Sequence, residues 1–545
     1  MRDLGPGTIL SAPGTAPDAA RSWPRAIAAV LLLFAGLAMP HAPGWSWASL
    51  LIVPAELPVL ILMLAWLGRG ARWLATAILW CLIVQKSSDL AVGHILGRSF
   101  NVMADLPLAR AAWDLLAGIG GPVAAAGTLA AIAVAATLVG IGLGWACGVL
   151  ADRGARRPAV TMGLMLVPLA VLPLAFDAGV AGNVAYAALR VQQARQTLAD
   201  RQDLRTAMAR DPFANAQGLL DIIDRDMLVI FVESYGRTSF DTPFYAERHR
   251  ATLRRAEARL ADAGLAMRSG FVTAPTQGGQ SWLSHATLAS GLWIADQSRY
   301  RALLTHARDG LFHHARRSGF RTAAVMPAIT RPWPEAAGMG FDTVLAAANL
   351  GYRGKPFNWV TMPDQFTLAA ADRLLRSDRD APRLFAQVAL ISSHAPWVPV
   401  PRLLDWTSLG DGRVFDAMAV AGDPPEVVWR DRDRVRDAYR DAVDYSLATV
   451  MDYALRHADD PPLLIVLGDH QAAPSIALDD RPDTALHVIG PAHLVDRTAA
   501  WGLGCGLLPA GGDALPMDRL RDLMLGTFSS DPPRHRTVRT PGPGC

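Results

Sequence analysis

Lysine is nearly missing from this 545-residue chain: Lys86 and Lys355 are the only two, and arginine supplies the rest of the 52 basic side chains. Against 49 acidic residues the net charge is +3, too small for a protein devoted to nucleic acid. The arginine bias reads as a compositional habit of the source genome and assigns no function. Cysteine is scarce as well, with four residues. Cys81 and Cys147 lie inside apolar runs and read as packing residues. Cys505 and Cys545 show neither metal-ligand spacing nor a disulfide framework; because chain tails are usually loose, Cys545 is expected to stay unbridged. No internal repeat is evident. Long apolar runs are lacking from everything after the first third, although 51 % of the chain is apolar. That uneven placement predicts a membrane portion joined to a soluble one, in a chain long enough for several domains.

Five apolar segments fill the first third: Ala26–Pro40, Leu50–Leu67, Trp73–Val84, Val123–Leu150 and Val160–Phe176. A span needs about twenty residues, so the third is expected to run past Gln85 or back through Arg72. Arg21 and Arg25 precede the first segment, Arg69 and Arg72 lie between the second and third, and Arg153, Arg156 and Arg157 between the fourth and fifth. The connection His41–Ala48 has no Lys or Arg. The positive-inside rule then puts the N-terminus in the cytoplasm, and five spans send the rest of the chain across the membrane. The expected organisation is a cytoplasmic tail (1–24), a polytopic α-helical membrane domain of five helices (25–177), a juxtamembrane helical linker (178–224), an α/β domain with a mostly parallel sheet (225–530) and a loose tail (531–545).

Short, wholly apolar runs in the soluble part read as buried parallel strands, and they alternate with helical patterns such as Arg248–Ala263 and Val435–His457. Besides Met227–Val232 and Leu463–Gly468, the strand candidates are Arg321–Met326, Leu384–Ser392 and Ala485–Ile489. In open α/β sheets ligands bind beyond the carboxyl ends of the strands. Two of those ends are notable: the first run ends on Glu233, the other on Asp469-His470. Carboxylate oxygens with an imidazole nitrogen suit Zn²⁺ or Mn²⁺. Ser281 follows Gly278-Gly279-Gln280 and opens a helical pattern. It is either an ordinary N-cap or a hydroxyl nucleophile favoured by the helix dipole and activated by a metal. Thr276 is the second candidate. His394 ends another apolar run, before Ala-Pro, and is either a packed loop residue or a proton donor.

In order and spacing, Val229-Ile-Phe-Val-Glu233-Ser, Gly279-Gln-Ser281, Ser392-Ser-His394-Ala-Pro and Gly468-Asp469-His470 resemble the membrane-anchored branch of the alkaline phosphatase and sulfatase superfamily. The resemblance is to lipoteichoic acid synthases and phosphoglycerol transferases, and it covers both the spans and the domain behind them. It implies a sulfatase-like (alkaline phosphatase-like) fold on the extracytoplasmic side of the bacterial inner membrane. It also implies one divalent ion, Mn²⁺ ahead of Zn²⁺ or Mg²⁺, held by Glu233, Ser281, Asp469 and His470. His394 matches the family histidine that contacts the phosphoglycerol head, and Trp333, ahead of Gly340-Phe341-Asp342, matches a substrate tryptophan. Two departures stand out. The family nucleophile is usually threonine, and the arginine after the tryptophan is replaced by Pro334-Glu335, leaving Arg331 as a stand-in on the other side. The implied activity is phosphoglycerol transfer from phosphatidylglycerol to an envelope glycan, with a periplasmic glucan the preferred acceptor. Phosphoethanolamine transfer, phosphodiester hydrolysis and non-catalytic binding of a glycan or lipid head group are the alternatives. The sulfatase signature Cys-x-Pro-x-Arg is absent near Ser281, and two cysteines cannot supply the several disulfides usual in phosphoethanolamine transferases.

Overall fold

The computed structural model describes residues 17–40, 52–96, 98–105, 109–175, 182–306, 308–378 and 380–533. The connection at residues 41–48 and Cys545 lie outside them. The chain divides into two compact units: Met1–Gly93 with Arg98–Asn101 and Trp113–Gln196, and His94–Gly97 with Val102–Ala112 and Thr197–Cys545.

In the first unit a helix lies at each of the five apolar segments: Pro17–Leu37, Glu56–Leu67, Arg69–Leu96, Ala109–Leu150 and Arg156–Ala175. The third extends in both directions, because Arg72 and the polar stretch after Gln85 remain helical. The fourth is broken at Gly121, whose φ of 81° is followed by Pro122. By length and composition, Gly70–His94 and Gly121–Leu150 can cross a membrane, while Ser22–Leu37 and Glu56–Leu67 are shorter apolar helices. Lys86 is buried in this unit and donates to the carbonyls of Leu37 (2.9 Å) and Met39 (2.8 Å), groups that a helix end leaves without partners.

The second unit is built on one sheet, nine-stranded among the described residues. Its strands are β1 (Met227–Val232), β2 (Ala266–Thr273), β3 (Arg321–Met326), β4 (Thr343–Ala346), β5 (Leu384–Ala389), β6 (Leu463–Gly468), β7 (Asp483–Gly490), β8 (Gly504–Cys505) and β9 (Leu515–Pro516). The order is β4-β3-β5-β1-β6-β7-β2-β8, with β9 beside β2. The expected mostly parallel sheet is a mixed one. From β4 to β6 every ladder is parallel, whereas β7 runs antiparallel to both β6 and β2, and β8 antiparallel to β2. The reason lies in β2, a strand with no apolar run to announce it: Arg268 and Ser269 are buried in it, against Leu503 and His487.

The apolar runs of β1 and β6 are continuous because both faces of the sheet are covered. Leu228, Ile230 and Val232 join one core together with Leu464 and Val466; Met227, Val229 and Phe231 join the other with Leu463, Ile465 and Leu467. The long helices Pro243–Asp262 and Arg432–Arg456 contribute to the first core, and Ser281–Ser290 and Arg519–Thr527 to the second. Parallel pairing of β1 with β6 sets Val232 opposite Gly468, so the residues that follow each strand leave the sheet side by side. One further difference concerns Cys505, which is disulfide-bonded. Cys81 and Cys147 are free.

Candidate functional site

Glu233 leaves β1 and Asp469-His470 leave β6 at that shared edge. One oxygen or nitrogen atom from each of the three lies within 4.8 Å of the others, and all three side chains are buried. Local backbone explains how. Ser234 adopts a left-handed φ of 58° and its N–H donates to Asp469 Oδ1 at 2.8 Å; the N–H of His470 donates to the same oxygen at 2.7 Å. Gly468 admits this closeness, since a Cβ there would collide with the backbone oxygen of Tyr235.

Ser281 joins the group through its own turn. Gly278, Gly279 and Gln280 all have positive φ, and the N–H of Gly278 donates to Gln471 O at 2.8 Å, tying the turn to the residue after His470. Gln280, not Ser281, occupies the N-cap, so the ordinary-cap reading of Ser281 does not hold. Ser281 is the first helical residue, and its hydroxyl donates to Glu233 Oε2 at 3.2 Å. Thr276 faces elsewhere, donating to Gly279 O at 2.8 Å.

The electrostatics are those of a group that wants a cation. Burial and then the Glu233 charge push Asp469 up to about 7. Against burial, Asp469 and Glu233 push His470 up to about 9. Burial also opposes ionisation of Glu233, yet the His470 and His394 charges hold it below the usual carboxylate range. His470 Nδ1 is 2.9 Å from Gln471 O, which fixes the ring and turns Nε2 toward the carboxylates. That Nε2 is buried and pairs with Glu233 Oε1 at 3.1 Å, off the line of a well-formed hydrogen bond. Two buried carboxylates, an imidazole nitrogen and an adjacent hydroxyl fit a divalent metal ion.

His394 stands in a braced loop. Buried Asp364 accepts the N–H groups of Ile391 (2.7 Å) and Ser392 (2.8 Å) and the hydroxyl of Ser446 (2.6 Å). Ser393 donates to the backbone oxygen of Glu233 at 2.6 Å, linking the loop to the end of β1. His394 Nδ1 is 2.6 Å from Ala395 O, so Nε2 is the nitrogen left for other partners. The imidazole stacks on Trp359, centroids 4.1 Å apart. Trp333, by contrast, turns toward Phe341 at 6.4 Å, and Arg331 is exposed in the loop after β3. The aromatic that the structure brings to His394 is therefore Trp359, which sequence reasoning missed. His285 was missed too. One turn after Ser281, its ring lies 4.2 Å from Phe231; Nε2 is shut from solvent without a partner, and burial lowers the group to about 4. Its spacing of four residues from Ser281 was the available signal.

The fold and site together define an α/β domain with a buried cluster of two carboxylates, an imidazole and a hydroxyl at the ends of parallel strands, a set that could hold a metal ion. No protein-family model and no curated protein matches the chain. Solved structures do. They include the lipoteichoic acid synthase LtaP from Listeria monocytogenes (12 % identity, 60 % of this chain and 81 % of that one, TM-score 0.35). The Streptococcus pyogenes phosphoglycerol transferase GacH, in complex with sn-glycerol-1-phosphate, is 13 % identical over 61 % of this chain and 92 % of its own (TM-score 0.36). A protein in the alkaline phosphatase superfamily from Vibrio parahaemolyticus is 17 % identical over 53 % and 68 % (TM-score 0.33).

Proposed function

We propose that the chain is a metal-dependent phosphotransferase of the bacterial inner membrane that moves glycerophosphate from phosphatidylglycerol to an envelope glycan. The observation that carries the reading is the meeting of Glu233, Asp469, His470 and the Ser281 hydroxyl at one strand edge. Those four side chains would hold the ion, which supplies charge stabilisation to the phosphoryl oxygens and lowers the pKa of the hydroxyl. Ser281 Oγ attacks phosphorus as its proton is lost to solvent, because Glu233, held below the usual carboxylate range, stays ionised. The Oγ–P bond forms, the P–O bond to diacylglycerol breaks, and His394 Nε2 gives a proton to the departing oxygen. In the second displacement His394 takes the proton of an acceptor hydroxyl, whose oxygen bonds to phosphorus. The Oγ–P bond then breaks and Ser281 recovers its proton from solvent. The helix that begins at Ser281 adds backbone N–H groups that favour the phosphoryl anion.

A multi-pass membrane domain is part of the same reading. It is supported by the arginine placement and by two helices long and apolar enough to span. Because the donor is a lipid, an anchor keeps the catalytic unit at the donor's surface. The deciding experiment is diacylglycerol release from labelled phosphatidylglycerol by full-length protein with Mn²⁺, wild type against Ser281→Ala. Release that disappears in the variant is the expected result. Wild type that binds the metal yet releases nothing would move the reading to phosphoethanolamine lipids or to a binding role.

A further inference from the structure

Trp359 keeps 39 % of its surface exposed, and its place is set by the backbone rather than by a core closed around it. Phe357 and Val360 exchange both backbone hydrogen bonds, at 2.8 and 3.0 Å, which closes a two-residue hairpin with Asn358 and Trp359 at the tip. Asn358 takes the positive φ, 56°, that such a tip requires. Its Nδ2 donates to Val398 O at 2.6 Å, so the tip is tied to the same loop that carries His394. The legs are fixed as well. Phe357 and Val360 are buried and line one small pocket together with His394. The Thr361 hydroxyl donates to Pro327 O at 2.7 Å, just past the end of β3.

A tip held this firmly matters for the ring beneath it. The contact of His394 Nδ1 with Ala395 O, 2.6 Å, fixes one point of the imidazole and leaves the ring free to swing about that point. The stack fixes the plane: indole and imidazole centroids lie 4.1 Å apart, with the rings 24° from parallel. A point and a plane together set the direction of Nε2, the nitrogen left for other partners. A proton donor must meet the departing oxygen at hydrogen-bond distance, and a small misplacement is costly. We propose that Trp359 is a positioning residue for His394. Its indole holds the imidazole so that Nε2 gives its proton to the departing diacylglycerol oxygen and, in the second displacement, takes one from the acceptor hydroxyl. The inference rests on the phosphotransfer reading for that chemistry, though not for the restraint on the ring.

A positioning role and a merely structural one separate on the leaving group. Full-length protein in nanodiscs with Mn²⁺ is given two substrates. Phosphatidylglycerol releases an alkoxide oxygen that needs a proton; the p-nitrophenyl ester of glycerol phosphate releases a phenolate that does not. Trp359→Ala is expected to lower kcat on the lipid about tenfold to a hundredfold, with KM nearly unchanged and Mn²⁺ still bound. On the aryl ester the loss is expected to be about twofold or less. Trp359→Phe keeps a flat face and should recover most of the rate, and in His394→Ala protein the added change Trp359→Ala should cost nothing further. Carbethoxylation of His394 by diethyl pyrocarbonate, followed on its own peptide, needs no turnover. It should run severalfold faster in Trp359→Ala and near the wild-type rate in Trp359→Phe. Equal losses on the two substrates, additive losses in the double variant, or carbethoxylation indifferent to Trp359 would overturn the inference. Wild type that cleaves neither substrate, while Trp359 still governs carbethoxylation, would instead overturn the phosphotransfer reading and leave the restraint on the ring standing.

Discussion

Two histidines are fully buried around the same strands, and they behave oppositely. His487, inside antiparallel β7, has both nitrogens occupied: Nε2 lies 2.9 Å from Tyr235 Oη and Nδ1 2.7 Å from Ser269 Oγ, which in turn donates to Gly506 O. Burial lowers it to about 3, and it is a neutral strut. His470, at the carboxyl end of parallel β6, has one nitrogen anchored to a carbonyl and the other held only by the Glu233 charge, 3.1 Å away and poorly aligned for a hydrogen bond, and its carboxylate neighbours push it up to about 9. Burial therefore does not separate a structural histidine from a functional one. What separates them is whether every polar atom is satisfied inside the fold. The antiparallel strands β7 and β2 bring His487 between two hydroxyls, while the parallel edge leaves residues projecting past the last ladder bond, where a ligand could complete them.

The most drastic way to probe that contrast is to strip the open site. Glu233→Ala and Asp469→Ala are expected to lose the bound metal and to drop turnover below about a thousandth of wild type; Glu233→Ala with little loss of thermal stability, Asp469→Ala at about 1–3 kcal/mol because the Ser234 and His470 N–H groups lose their acceptor. Metal content by mass spectrometry and the melting temperature, measured on the same sample, check both halves. His394→Ala belongs on the other side of the line. It should impair turnover while the metal stays bound; a metal-free variant would make His394 a ligand.

Removing the strut should do the reverse. His487→Phe leaves the Tyr235 and Ser269 hydroxyls short of a partner and is expected to cost about 2–4 kcal/mol. The folded fraction should still bind metal in full. His470→Asn supplies the control, with metal lost and the melting temperature nearly kept. If His470→Asn melts lower than His487→Phe, the distinction drawn between the two histidines fails.

Acid sharpens the comparison further. His487, lowered to about 3, and His249, lowered to about 4, are both held neutral by burial, so their folded values lie below the ordinary histidine value of about 6.5. Between pH 6.5 and roughly 4 the unfolded chain takes up protons that the folded chain refuses. Stability present at neutral pH is thus lost as pH falls through that window, by up to about 1.4 kcal/mol per unit for each histidine. Asp469, pushed up to about 7, works in the opposite direction over this window, so the check is a comparison: on going from pH 7 to pH 5 the urea midpoint of the metal-free wild type should fall more, or rise less, than that of His487→Phe.

Sequence alone reached the parallel half of this arrangement far better than the antiparallel half. β1 and β6 are legible because helices cover both faces, which forces every residue to be apolar and leaves Glu233 and Asp469-His470 conspicuous at the ends. β2 was invisible, since Arg268, Ser269 and Gly270 interrupt it; they are tolerated because Leu503, His487 and Gly506 come from distant segments to meet them. Trp359 was hidden for the same kind of reason. Its place against His394 follows from the left-handed turn at Asn358 and the bracing of residues 391–394 by Asp364, neither of which leaves a periodic trace.

The smallest expected effect concerns the two hydroxyls near the glycine turn, and it bears on the same principle. Thr276 already has its partner, the carbonyl of Gly279, inside its own loop, whereas Ser281 bonds only sideways to a carboxylate that a metal would share. By the reasoning that separates His487 from His470, Thr276 is a strut and Ser281 the reacting group. Thr276→Ala should then cost about 1 kcal/mol of stability and reduce turnover by no more than a few-fold, through a slightly loosened turn. Ser281→Ala should leave stability alone and end turnover. A dead Thr276→Ala with an active Ser281→Ala would exchange their roles, and it would mean that a hydroxyl satisfied at rest can still be the one that reacts.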